Sequence, residues 1–169
     1  PMTMTRLITY VALVSLGSFA DVTARTKATD TIVPNDNRRA VGTLKHGVLT
    51  VAIEARAGAW RPDGDNGRVL EVAAFAEEGK ALSTPGPLIR VPLGTEIHAT
   101  VHNRLDKPLI VYGFGKTRGP SDSVIVPVSG TVPVQFKATA PGTYYYLAKR
   151  GVDPFGLRPV EDMQLHGVI

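Results

Sequence analysis

From residue 43 onward no stretch of this chain carries a convincing helical period, and every apolar run is soon broken by glycine or proline. The 17 glycines and 13 prolines supply those breaks, which confine the chain to short extended segments. "GVLTVAIEARAGAW" (47–60) sets Leu49, Val51, Ile53, Ala55 and Ala57 on one face and Thr50, Glu54 and Arg56 on the other. That alternation predicts a half-buried strand. "RPDGDNG" (61–67) is dense turn chemistry, followed by the strand candidate "RVLEVAAFA" (68–76). "STPGP" (83–87) breaks the chain again before "LIRVPL" (88–93). In "TEIHATVHN" (95–103), Ile97, Ala99 and Val101 alternate with Glu96, His98, Thr100 and His102. Further strands are expected over 109–114, 123–128, 131–138, 143–149 and 162–169. Short strands, frequent turns and no long helix predict an all-β sandwich or barrel.

The two ends read differently. Arg6 precedes the 14-residue, largely apolar run 7–20, and small residues follow it, the pattern of an export signal over 1–24. The run is too short for a membrane span, which needs about 20 residues. Pro1 stands ahead of Met2 and Met4, so the upstream end is expected to be clipped or artificial. Residues 25–42 are polar and aperiodic and read as a linker or an exposed arm. Residues 43–169 form the folded domain, and the chain stops at Ile169 inside an apolar pattern, so that domain is expected to be truncated at its C-terminal end.

Net charge is +4, of which +2 belongs to residues 41–169, so no broad basic face for nucleic acid is expected. Cysteine is absent, which excludes disulfides, thiolate ligands and cysteine nucleophiles within this chain.

The chemical motifs mostly fail on inspection. Gly115-Lys116-Thr117 suggests a phosphate loop, but the glycine required five residues earlier is Ile110, and Pro120 precedes a strand pattern where a helix should start. No Gly-x-Ser-x-Gly elbow or Ser-His-Asp spacing is present. Glu77-Glu78 and Glu161-Asp162 are neighbours that would face opposite ways on a strand, and both pairs read as solvated surface. His98 and His102 share a strand face roughly 13 Å apart, too far to ligate one ion together. His46 falls in a Lys-His-Gly turn, and it and His166 also read as surface residues. In "TYYYLAK" Tyr144 and Tyr146 share one face, suited to core packing with an edge hydrogen bond, and Tyr145 takes the other.

Three segments together carry a family likeness: "TPGPLIRVPLGTEIHATVHNRLDKPLIVYGFG" (84–115), "VPVQFKATAPGTYYYLAK" (132–149) and "EDMQLHGVI" (161–169). In this order they resemble the N-terminal plastocyanin-like (cupredoxin) domain of a multicopper oxidase, with "NDNRRAVGTL" (35–44) resembling its entry. The resemblance spans roughly residues 35–169. It implies a Greek-key β-sandwich, periplasmic or secreted location, and copper-dependent oxidation of a substrate coupled to oxygen reduction. It also implies further cupredoxin domains, in the same protein or a partner subunit.

The family's copper is held by two histidine pairs in this domain. Where the first is expected the chain reads Tyr112-Gly113-Phe114-Gly115, and where the second is expected it reads Leu147-Ala148-Lys149. Leucine, phenylalanine and glycine side chains offer no donor, and a lysine ammonium repels the ion. Tyrosine ligates well only when ionised, against a reference pKa of about 10. No catalytic, cofactor-binding or metal-binding residue is therefore assigned, no copper is expected on this chain alone, and the chain alone is expected to be inactive. The alternative is a metal-free β-sandwich acting as a binding or interaction module, with loops 61–67, 115–122 and 150–160 available for recognition.

Overall fold

The structure, a computed structural model, describes residues 30–115, 122–153 and 156–169. The expected export signal at 1–24 lies outside the described residues. The strands, in chain order, are β1 (Asp30–Thr31), β2 (Val33–Pro34), β3 (Thr43–Lys45), β4 (Val48–Trp60), β5 (Leu70–Glu77) and β6 (Ser83–Thr84). There follow β7 (Glu96–Asn103), β8 (Leu109–Tyr112), β9 (Val124–Val126), β10 (Thr131–Lys137), β11 (Tyr145–Arg150) and β12 (His166–Val168). A single 3-10 turn, Val160–Asp162, is the helical element among the described residues.

The strands form the expected β-sandwich. One sheet runs β10-β7-β4-β5-β6-β2, with β1 and β3 also paired to β4, and the other runs β12-β11-β8-β9. The chain changes sheets between β7 and β8, between β9 and β10, and again between β10 and β11. Strand β7 shows the alternation read from sequence: Ile97, Ala99 and Val101 are buried while His98, Thr100 and His102 are partly open. The core between the sheets centres on Tyr146, Phe75 and Phe114, packed with Ile53, Ile97, Leu109 and Val111. The β3–β4 hairpin turns on His46 and Gly47, both at positive φ (49° and 79°), with Lys45 opposite Val48. A two-residue turn with two positive φ angles matches the twist of the flanking strands, and glycine adopts it freely.

The part of segment 25–42 that is described, from Asp30 on, differs from the expected linker or arm. Its first residues form a strap across the larger sheet. Asp30 pairs alongside Gly58 of β4, and Val33 pairs alongside Ser83 of β6. The Ile32 amide donates to Ala59 O and the Val33 amide to Leu82 O, each at 2.9 Å. Because β4 pairs β5 and β5 pairs β6, the continuous strap closes a circuit of strands around a second, smaller core. That core holds Ile32, Val72, Ala74, Ala76 and Leu82, with Trp60 and Leu70 against it. Only small residues fit the crossing: a Cβ on Gly58 would lie 2.9 Å from Ile32 Cγ1 and 2.8 Å from Asp30 O. The sequence hid this strap because it is polar and aperiodic, with Ile32 its only fully buried apolar anchor.

The strap also corrects the reading of β4. Gly58 is buried beneath it, whereas Ala57, expected on the core face, is exposed. Glu54, expected on the solvent face, is buried; its carboxylate accepts the Gly79 amide at 3.1 Å and pairs with Arg56. Arg56 pairs in turn with Asp30 at 2.9 Å and donates to Lys80 O, so the chain of charges fastens the strap to the sheet.

Two further buried polar groups tie loops to the sandwich. Asn103 Nδ2 donates to Lys107 O, Val126 O and Pro127 O (2.9, 3.1 and 3.1 Å), and its Oδ1 accepts the Leu105 amide at 2.9 Å. Asp162, read from sequence as solvated surface, is 0% exposed. Its carboxylate accepts the Arg150 amide at 2.7 Å and Arg150 Nε at 2.5 Å. A buried carboxylate is tolerated only when its lone pairs are filled in this way.

Candidate functional site

The positions where the resemblance places histidine pairs come together at one end of the smaller sheet. Strand β8 ends at Tyr112, which stands opposite Leu147 of β11, while Ile110 stands opposite Lys149. Leu147 in turn stands opposite His166 of β12. Tyr112, Leu147 and His166 therefore form one row across three strands, and period-two alternation puts Tyr145, Leu147 and Lys149 on the same outer face.

Phe114 leaves that face. Gly113 has φ of 91°, and a Cβ there would collide with the Tyr145 carbonyl oxygen. This tight passage over β11 turns the next side chain into the core, where Phe114 is 1% exposed. Its ring stacks on Tyr146 (centroids 4.9 Å apart, planes at 21°) and on Phe136 (5.9 Å, 25°). Tyr146 is tilted against Phe75 at 5.4 Å and donates its hydroxyl to Pro87 O at 2.6 Å. Burial drives the Tyr146 phenol far above the ordinary tyrosine range.

The remaining positions of the expected ligand set are engaged in other contacts. Lys149 is 4% exposed and donates Nζ to Gly156 O at 2.6 Å, beneath the segment that follows β11. Tyr112 is half-buried; desolvation first, and then the charge of Asp153, hold its phenol above the usual value. At neutral pH it is a neutral phenol and a poor metal ligand. The residues at these positions do not fit copper: Phe114 and Leu147 have no donor, Tyr112 keeps its proton, and Lys149 carries hydrogens where a ligand needs a lone pair. Lys116 and Thr117 of the Gly-Lys-Thr lie outside the described residues.

The four histidines are not brought together as a cluster, and each has a local role. His46 is the hairpin turn residue. His98 Nε2 lies 2.8 Å from Glu96. His102 lies 2.9 Å from Thr131 Oγ1 and 3.6 Å from Glu78, and His166 Nδ1 lies 2.9 Å from Met163 O. Among the described residues no group of three or more His, Cys, Asp and Glu side chains is placed to hold a metal ion. No helix among them is long and apolar enough to cross a membrane.

The outer face that carries the Tyr112–Leu147–His166 row is largely apolar. Tyr145 is 66% exposed, and Ile125 of β9, which stands opposite Ile110, is also exposed. Val152, Leu157, Val160 and Met163 extend exposed apolar surface along the segment after β11. Sequence alternation signalled the outward Tyr145, but the buried Asp162 that anchors this segment had no periodic signal around it.

No protein-family model matches the chain, and no curated protein matches it. Solved structures do. A multicopper oxidase crystal structure aligns over 77% of this chain with a TM-score of 0.56 at 16% identity, the alignment covering 45% of that protein. A blue copper oxidase from Nitrosomonas europaea aligns over 70% with a TM-score of 0.54 at 21% identity, covering 37% of its length. A multicopper oxidase from Campylobacter jejuni, described as a metallo-oxidase, aligns over 83% with a TM-score of 0.50 at 16% identity, covering 29%. The chain thus spans less than half the length of each of these proteins. Its fold is the cupredoxin-like β-sandwich found in multicopper oxidases.

Proposed function

We propose that this chain is the N-terminal cupredoxin-like domain of an exported multicopper-oxidase-type protein, and that it serves as scaffold and docking surface, not as a copper carrier. The observation that carries the reading is the fate of the expected ligand positions. Phe114 is locked in an aromatic stack, Lys149 is bonded to Gly156 O, and Tyr112 and Leu147 lie in an apolar outer face. Oxidase chemistry would belong to further cupredoxin domains, in the same protein or in a partner subunit. Their docking would cover Tyr145, Ile125 and the exposed apolar residues after β11. No nucleic-acid partner is proposed, since residues 41–169 are close to neutral.

Titration of the purified chain with Cu(II), followed by EPR, tests this reading. The expected result is weak, non-stoichiometric binding; one tightly held copper with a defined spectrum would sink it.

The exposed apolar face also favours the second reading, a metal-free interaction module whose partner belongs to another class. The coding sequence downstream of Ile169 separates the two. A His-Cys-His stretch there supports the oxidase, and an immediate stop supports the module.

A further inference from the structure

Thr131, His102 and Glu78 come from three separate segments and meet on the outer face of the larger sheet. Thr131 opens β10 directly opposite His102 of β7, and Glu78 follows β5. Thr131 Oγ1 lies 2.9 Å from His102 Nδ1, and His102 Nε2 lies 3.6 Å from Glu78 Oε1. With the hydroxyl donating to Nδ1, the ring proton sits on Nε2 and faces the carboxylate. The Glu78 amide donates to Ala52 O at 2.9 Å, so that carboxylate projects from an anchored backbone. Only 16% of the His102 side chain is exposed, which holds the ring in place, whereas Thr131 is open to solvent.

The backbone around Thr131 adds a donor. The Asn103 amide bonds Gly130 O and the Ala138 amide bonds Thr95 O, each at 2.9 Å. Antiparallel alternation then makes Thr131 and His102 a non-hydrogen-bonded pair, with side chains close together. The Thr131 amide therefore points away from β7, out from a strand at the edge of its sheet. An N–H beside the hydroxyl can bond an oxygen on any carbon attached to Oγ1.

From this geometry we infer that Thr131 is a nucleophile toward small activated esters, with His102 as its general base and Glu78 positioning the imidazole. A hydroxyl on a base that a third group orients is the arrangement that activates a weak nucleophile. Oγ1 attacks the acyl carbon as its proton passes to His102 Nδ1. The bond to the leaving oxygen breaks, and the imidazolium, stabilised by Glu78, returns the proton to that oxygen. Water then attacks acyl-Thr131, giving a proton to His102. The acid departs, and the Thr131 hydroxyl recovers its proton from the ring. The face is open, so selection rests on the reactivity of the ester, which favours small acyl groups with good leaving groups. These residues lie on the other sheet from the Tyr112–Leu147–His166 row, and the inference is independent of the copper question.

Hydrolysis of p-nitrophenyl acetate by the full chain tests the assignment, with an alkyl fluorophosphonate as the trap that maps the reacting atom by peptide mass spectrometry. The expected result is nitrophenolate release above that of buffer and a phosphonyl group on Thr131. Thr131→Val, nearly isosteric at an exposed position, should keep the fold and remove both signals. His102→Gln should lower both by about 100-fold, the lower end of what general base catalysis supplies. Glu78→Gln should lower kcat about tenfold at unchanged KM, the effect of one charge-assisted contact, and Glu78→Asp should restore part of it. Release that survives Thr131→Val, an adduct confined to lysines or to His102, or equal labelling of Thr131 in the urea-unfolded chain would overturn the proposal.

Discussion

Tyr146 shows how much one side chain does here. Its ring fills the centre of the core between Phe75 and Phe114, and its hydroxyl satisfies a buried carbonyl on the chain segment before β7. Tyr146→Phe keeps the ring and orphans Pro87 O, at a cost of about 1–3 kcal/mol. The raised phenol pKa adds a pH signature. Below the unfolded value of about 10, folded and unfolded chains both keep this proton and stability is unaffected by it. Above that value the unfolded chain releases a proton that the native state retains, so stability falls as pH rises. Tyr112, also raised, acts in the same direction. Urea unfolding measured across the alkaline range should therefore show falling stability, and Tyr146→Phe should flatten that fall while lowering stability at neutral pH. An unchanged alkaline slope in the variant would show that Tyr146 is not the group responsible.

Register is the decisive property at the level of the strands. Tyr112, Leu147 and His166 stand side by side across β8, β11 and β12, and directly opposed Cβ atoms in such a sheet are about 4.5–5.5 Å apart. Three imidazoles at that spacing can converge on one ion. The double variant Tyr112→His/Leu147→His should therefore bind Cu(II) stoichiometrically by EPR where the parent chain does not. Phe114→His should not, because the ring at that position points into the core. If the double variant binds no better than the parent, the row does not converge as its register implies. The strands themselves were legible to different degrees. Strand β7 is covered on one face, so its alternation appears directly in "TEIHATVHN". Strand β5 is buried on both faces, with Ala73 and Phe75 in one core and Val72, Ala74 and Ala76 in the other, which erases the alternation. The expected strand over 162–169 is shorter, His166–Val168, because Asp162 is drawn into a 3-10 turn by its bonds to Arg150. At the candidate site, the positions where the resemblance expects histidine pairs could be read from the motif order. The divergence of Phe114 from Tyr112 could not, since it depends on the backbone of Gly113 passing over β11.

For the whole molecule, the sandwich with its two cores needs more chain than the sequence pattern suggested. A domain begun at residue 43 would lack the strap, leave Ala74, Ala76 and Leu82 uncovered on one side, and strip Arg56 of Asp30. Burial of Ile32 alone contributes about 1.5–3 kcal/mol. A chain starting at residue 43 should thus unfold at clearly lower denaturant than one starting at residue 28. It should also bind an apolar-surface dye, because its smaller core is open. Equal midpoints would mean that the strap is an ornament on the fold. The turn-rich pattern still gave an all-β sandwich or barrel, since each Gly/Pro break limits strand length whatever the register, and the sandwich itself followed from the family resemblance. What it could not give is the pairing of Asp30 with Gly58 or of Val33 with Ser83, contacts between distant positions that leave no local trace.

That separation also imposes an order in time. During synthesis the strap emerges ahead of both strands it must join: Asp30 waits for Gly58, and Val33 for Ser83. Until β6 has left the ribosome, the closing edge does not exist and Ile32 has no pocket. Ring closure is therefore a late event for the strap, and in that interval its backbone and Ile32 stand unpaired and open to a chaperone.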